Sequence, residues 1–202
     1  MPNDLDRRRF AAAALVAFAC AAGGATASRA QAMDPAAQRI ESYYATLLPA
    51  VTAARGLGVA ERARRISSAV RGAFDIGAMT ELAVGPAWSR FSAAERSQTI
   101  EAFGEFIVAD YASQLGDYLG EGYKVEPAVV ARGGDQIVKS RIGSTEIDYR
   151  MRGARILDIY ANGTVSELAA RRAEFASILA STGGAEGLIR ELRQRTGQLL
   201  GG

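Results

Sequence analysis

Carboxylates are the groups in this chain best placed to do chemistry. Glu146 and Asp148 stand two apart in an alternating stretch and so share one strand face, with Asp158 opposite them on the next stretch. Two acids of separated pKa in that arrangement could support acid–base hydrolysis. Asp110 and Asp117, seven apart in a helical stretch, likewise share a face. Nothing else supports catalysis. The chain has no histidine, and its single cysteine, Cys20, lies near the N-terminus. The side chain titrating nearest neutrality is therefore missing, and the best neutral-pH nucleophile is absent from the main body. No G-x-S-x-G, S-x-x-K, P-loop or dinucleotide-binding glycine pattern occurs. Arg150, Arg152 and Arg155 interleave with the strand carboxylates, which reads as a solvated sheet face, and Asp110 and Asp117 read as the wet side of a helix. Binding without catalysis, metal or cofactor is the expectation.

Residues 1–32 read as a cleaved export signal. Arg7, Arg8 and Arg9 precede an apolar run from Phe10 to Ala22, and Ala30-Gln31-Ala32 offers a cleavage site. The run is too short to span a bilayer. Arg7-Arg8-Arg9-Phe10 also fits a twin-arginine signal, so both export routes stay open. The formal charge of +2 arises from four arginines against Asp4 and Asp6 in this leader. Residues 33–202 are then neutral, which argues against a nucleic-acid partner, and they suffice for one domain. No disulfide is available to them.

The elements that must position these residues run helices, strands, helices. Helical spacing predicts Asp34–Ala54, with Ile40, Tyr43, Leu47 and Val51 on one face, and Val59–Phe74, whose polar face carries Arg62, Arg64, Arg65 and Arg71. Asp75 caps a short third helix ended by Gly85-Pro86. Ser92 and Glu95 form a capping box for a long helix, on which Ile100, Phe103, Ile107, Tyr111, Leu115 and Tyr118 make an apolar stripe. From Tyr123 the period falls to two. Tyr123–Arg132, Gln136–Ile142, Thr145–Arg152 and Arg155–Ala161 read as four antiparallel strands joined by glycine turns. A second capping box, Thr164 with Glu167, opens the first of two C-terminal helices. The fold class is α+β: N-terminal helices, then a four-stranded antiparallel curved sheet wrapped by helices, then two C-terminal helices.

Phe74, Met79, Trp88, Phe103, Tyr111, Tyr149, Met151 and Phe175 are spread over several of these elements. They suit a packed core, and the same residue types around a gap would suit an apolar ligand. Sequence does not distinguish the two.

Two segments resemble the toluene-tolerance, or Mla-type, family of periplasmic phospholipid carriers. One is Phe74-Asp75-Ile76 with Met79-Thr80 and Leu82-Ala83-Val84-Gly85-Pro86-Ala87-Trp88, continued by the helix from Ser92. The other is Leu157-Asp158-Ile159 with Asn162-Gly163-Thr164-Val165-Ser166, followed by Arg171-Arg172-Ala173-Glu174-Phe175 and Ile178-Leu179. The Val-Gly-Pro and Gly-Thr-Val-Ser forms are most similar to the hopanoid-biosynthesis-associated branch. The short turn Arg152-Gly153-Ala154-Arg155 departs from the family, which usually has a longer one carrying a tryptophan.

The resemblance implies a monomeric, non-catalytic periplasmic carrier that sheathes phospholipid or hopanoid tails in an apolar cavity. It would pass lipid between an inner-membrane, ABC-transporter-associated complex and an outer-membrane acceptor. On that reading Phe103, Ile107, Tyr111, Ile147, Tyr149 and Met151 line the cavity, and Phe74, Met79, Leu82, Trp88 and Phe175 close its ends. An exported polypeptide-binding or chaperone-like module is the competing expectation.

Overall fold

Side chains fix where the helices begin. Asp34 accepts from the Ala36 amide at 2.8 Å and Pro35 occupies the first turn, starting α1 (Pro35–Ala53). Gly58 precedes α2 (Val59–Ala73), and Asp75 caps α3 (Ile76–Val84) through the Ala78 amide at 3.1 Å. Both halves of the Ser92–Glu95 capping box form, at 3.2 and 2.7 Å, and launch α4 (Ala93–Gln114). This computed structural model describes residues 32–118, 120–162, 165–181 and 183–201, without the side chains of Asp117 and Tyr118. The export signal expected over 1–32 lies outside the described residues except for Ala32, and so do Gly163 and Thr164.

Gly85-Pro86 ends α3 at Val84 as expected, but the chain's helical path continues. A 3-10 segment, Gly85–Arg90, carries it to the α4 cap, because proline is tolerated at a first turn. A second 3-10 segment, Leu115–Tyr118, follows α4.

The strands form an antiparallel meander in chain order: β1 (Tyr123–Arg132), β2 (Asp135–Ile142), β3 (Thr145–Arg152), β4 (Arg155–Ala161) and β5 (Val165–Ser166). Three two-residue turns join the first four, with Gly133, Gly143 and Gly153 at positive φ, as tight hairpins require. The sheet has five strands rather than the expected four. β5 is two residues long, pairing Tyr160 with Ser166 and Ala161 with Val165, too short to show a period in sequence.

α5 (Glu167–Ser181) and α6 (Ala185–Leu200) complete the fold. The cap of α5 is Ser166, whose Oγ accepts from the Ala169 amide at 2.9 Å. α1 lies over β1 and β2, α4 packs on α2 and α6, and α3 on α5. Phe74 bridges Ile156 in parallel, and the Asp75 amide donates to the Ile156 carbonyl at 2.9 Å, tying the α2–α3 corner to β4.

Asp158 is the clearest correction to the sequence reading. It does not lie on a solvated face; it is 1% exposed. Ile156, Leu157 and Asp158 are buried in succession, so both faces of β4 are covered there, and α3 and α5 pack against the strand. One Asp158 oxygen accepts from the Ile159 and Leu168 amides, each at 2.9 Å, and the other from Ser166 Oγ at 2.6 Å. Its charge thus anchors the first turn of α5, where the helix dipole favours an anion.

Candidate functional site

The inward side chains of β3 and β4 and the apolar faces of α1 and α4 do not close on one another completely. Between them lies a cavity of about 240 Å³. α1 contributes Tyr43, Tyr44 and Leu47, α4 contributes Tyr111 and Gln114, and the sheet contributes Ile142, Ile147, Tyr149 and Ile159. Its rim gathers at one end of the fold, where Gln114, Thr145, Ala161, Val165 and Glu167 come together. Val165 is 62% exposed, so this end meets solvent.

The polar atoms of the cavity wall form a directed chain. Tyr149 donates to the Tyr44 hydroxyl at 3.0 Å, and the Ser140 hydroxyl donates to the Ile147 carbonyl at 2.7 Å. Ser140 has one hydrogen, so in the 2.9 Å contact between them Tyr44 is the donor. Burial pushes the Tyr149 and Tyr111 phenols far above their ordinary range, with neighbouring tyrosines adding to the rise; burial does the same to Tyr43, aided by Tyr44. These phenols stay protonated and neutral. None can serve as a base at neutral pH, and Tyr149, whose hydrogen goes to Tyr44, has none to offer a ligand.

The carboxylates are not assembled for catalysis. Asp158 stands opposite Arg150, not Asp148, and its oxygens are committed to α5. Glu146 and Asp148 border a separate depression on the outer sheet face with Lys124, Lys139 and Arg141. Burial raises the Asp148 carboxyl, Lys139 opposes the rise, and Glu146 and Glu126 add to it. Asp110 is not a wet helix residue, since it pairs with Arg171 at 2.9 Å, both mostly buried. No group of three or more metal-ligating side chains occurs among the described residues.

Of the residues singled out in the sequence, Tyr111, Ile147 and Tyr149 line the cavity. Met79, Phe103 and Ile107 meet Tyr111 around an adjoining void of only about 10 Å³. Met151 lies in the floor of a second cavity, described below. Phe74, Leu82, Trp88 and Phe175 line none of these. Phe74 packs on the Tyr43 and Tyr111 rings, Phe175 meets Phe103 edge-on at 5.3 Å, and Trp88 lies between Phe91 and Arg96. Tyr43, Tyr44 and Leu47 were not singled out as lining, although adjacent tyrosines on the buried face of a helix, each with a hydroxyl to satisfy, are a readable signal.

Residues 46–194 match the model of the MlaC protein family. The chain belongs to the MlaC family. Among curated proteins none matches the chain. The fold of this MlaC-family chain is similar to that of a phospholipid-binding protein from Ralstonia solanacearum, solved in complex with a phospholipid. The TM-score is 0.71 at 20% identity, covering 81% of this chain and 98% of that one. No helix among the described residues is long and apolar enough to cross a membrane.

Proposed function

We infer that this protein is a periplasmic lipid carrier, not an enzyme, that takes acyl or hopanoid tails into the tyrosine-lined cavity. The headgroup would rest at the rim formed by Gln114, Thr145 and Glu167. The observation that carries this reading is the cavity itself, in a chain of the MlaC family. Lipid would be received from an inner-membrane, ABC-transporter-associated complex and delivered to an outer-membrane acceptor, or moved the opposite way.

The energetics suit a carrier. Each methylene taken from water gains ~0.8 kcal/mol, but a bilayer already shelters those methylenes. A dry cavity therefore need only match the membrane for lipid to enter and leave as partners dock. A dry cavity of about 150 Å³ holds a benzene-sized guest. On that scale 240 Å³ holds roughly ten carbons, part of one membrane tail.

The competing polypeptide-binding reading needs a continuous apolar surface. Among the described residues the exposed large apolar ones, Leu57, Val130 and Val165, lie on a loop and on two different strands. They make no shared patch.

Organic extraction of the purified protein followed by mass spectrometry tests the carrier reading. Stoichiometric lipid is expected, and its identity decides between glycerophospholipid and hopanoid. Protein that purifies without lipid and takes none up from vesicles would refute it.

A further inference from the structure

A second cavity of about 200 Å³ lies between α1, α2 and the β3–β4 turn. Its floor is apolar, made by Ile40, Ala69, Ala73, Met151 and Ile156, and its rim is open between Arg39 and Ser68. The wall is shallow because α2 presents small residues there; a Cβ added at Gly72 would meet nothing within 4 Å. The irregular register of β3 against β4 falls between Arg150 and Met151, where a bulge re-aims a side chain, here at the floor.

One residue lines both this cavity and the central one: Tyr43. Its ring is the partition. The neighbouring tyrosines are tethered, Tyr44 to Ser140 and Tyr149 to Tyr44. The Tyr43 hydroxyl makes no hydrogen bond among the described residues, yet no fully buried side-chain oxygen there lacks a partner. It must therefore face open space. Ring contacts alone hold the side chain among the described residues: edge-on to Phe74 at 5.8 Å and to Tyr149 at 6.3 Å, and tilted against Tyr44 at 6.0 Å. A change of its side-chain rotamer would breach the partition and nearly double the continuous apolar space.

Resting on the carrier reading, we propose that the α1–α2 cavity is a second tail chamber, and that the Tyr43 ring decides how much hydrocarbon the protein takes. A tail that outgrows the central cavity passes the ring and lies along Ile40, Met151 and Ile156. Met151 suits this place, because an unbranched thioether repacks around chains of different length.

The test is competition between dioctanoyl- and dipalmitoyl-phosphatidylglycerol for the delipidated full-length protein, read by native mass spectrometry. Tyr43→Trp enlarges the partition. Each excluded methylene costs roughly fourfold, so losing two lowers dipalmitoyl relative to dioctanoyl binding by at least about tenfold. Tyr43→Ala removes the partition and shifts the ratio the other way. Tyr43→Phe leaves it at the wild-type value, because the hydroxyl has no partner to lose. Unchanged ratios in the Trp and Ala variants overturn the chamber while leaving the carrier intact; if the Trp variant fails to fold, the Ala ratio decides alone. Wild-type protein that binds neither lipid overturns the phospholipid form of the carrier reading and the chamber with it.

Discussion

Tyr149 hands its phenolic hydrogen to Tyr44 across 3.0 Å, in a wall that is otherwise largely hydrocarbon. The bond ties the middle of β3 to the middle of α1, and Ser140 extends the tie to β2. Polar atoms that would penalise an apolar guest are thereby consumed by one another. Because the chain is directed, its members are unequal. Tyr149→Phe removes a donor and leaves Tyr44 bonded to Ser140, costing about 1 kcal/mol. Tyr44→Phe strands the Tyr149 hydroxyl and should cost about 2 kcal/mol. Urea unfolding of both variants measures the difference, and equal losses would contradict the assigned direction.

Filling the cavity should separate binding from folding. Ile147 is half-buried and faces the central space. Ile147→Trp puts a larger ring there, at a cost below the ~1–3 kcal/mol of overpacking a solid core, since the room already exists. Lipid phosphorus per protein should fall severalfold while the melting temperature changes little. Full lipid content in a folded Ile147→Trp protein would place the tails elsewhere.

Acid should weaken the sheet through Asp135. Its side chain is 4% exposed and accepts from Arg150 Nε at 2.6 Å and Arg152 Nε at 2.8 Å. Arg152 first, and then Arg150, hold this carboxyl below the ordinary carboxylate range against the opposing effect of burial. The unfolded chain binds the proton more tightly, so this contribution is complete above the unfolded carboxylate pKa. It is lost as pH falls through the depressed folded value. Asp135→Asn should cost about 1–3 kcal/mol at neutral pH and make stability fall less steeply below about pH 4. Parallel acid slopes for wild type and variant would refute the assignment.

Asp158 should matter more than its place on a short strand suggests. Asp158→Ala leaves the Ile159 and Leu168 amides and the Ser166 hydroxyl without their acceptor. The expected loss is about 3 kcal/mol, with hydrogen exchange rising first at the start of α5. Asp158→Asn keeps one acceptor and should lose about 1 kcal/mol. A loss below that in the Ala variant would show that α5 does not depend on this anchor.

Local rules were legible where a few neighbouring residues settle the outcome. Ser92 and Glu95 cap each other within one turn, and the alternation of Ile147, Tyr149 and Met151 fixes which side of β3 is inward. Asp158 was misread because a lone acid between Leu157 and Ile159 looks the same whether water or a helix covers it. What covers it is the start of α5, whose Leu168 amide is brought back by the pairing of β5 with β4. The cavity was beyond local reading for a similar reason. Tyr111, Ile147 and Tyr149 could be placed on inward faces, but the gap beside them depends on how far α1 stands from the sheet. That spacing is set jointly by Tyr43, Tyr44 and Leu47 and belongs to no single segment.

Trp88 is the chain's single tryptophan, and it sits against Phe91 and Arg96, lining none of the cavities described. The protein therefore carries two independent optical signals. Indole emission follows whether the α3–α4 corner is intact, while tyrosine bands in near-ultraviolet dichroism follow what occupies the space around Tyr44 and Tyr149. Titrating lipid should move the second without the first, giving a label-free readout of loading with its own internal standard.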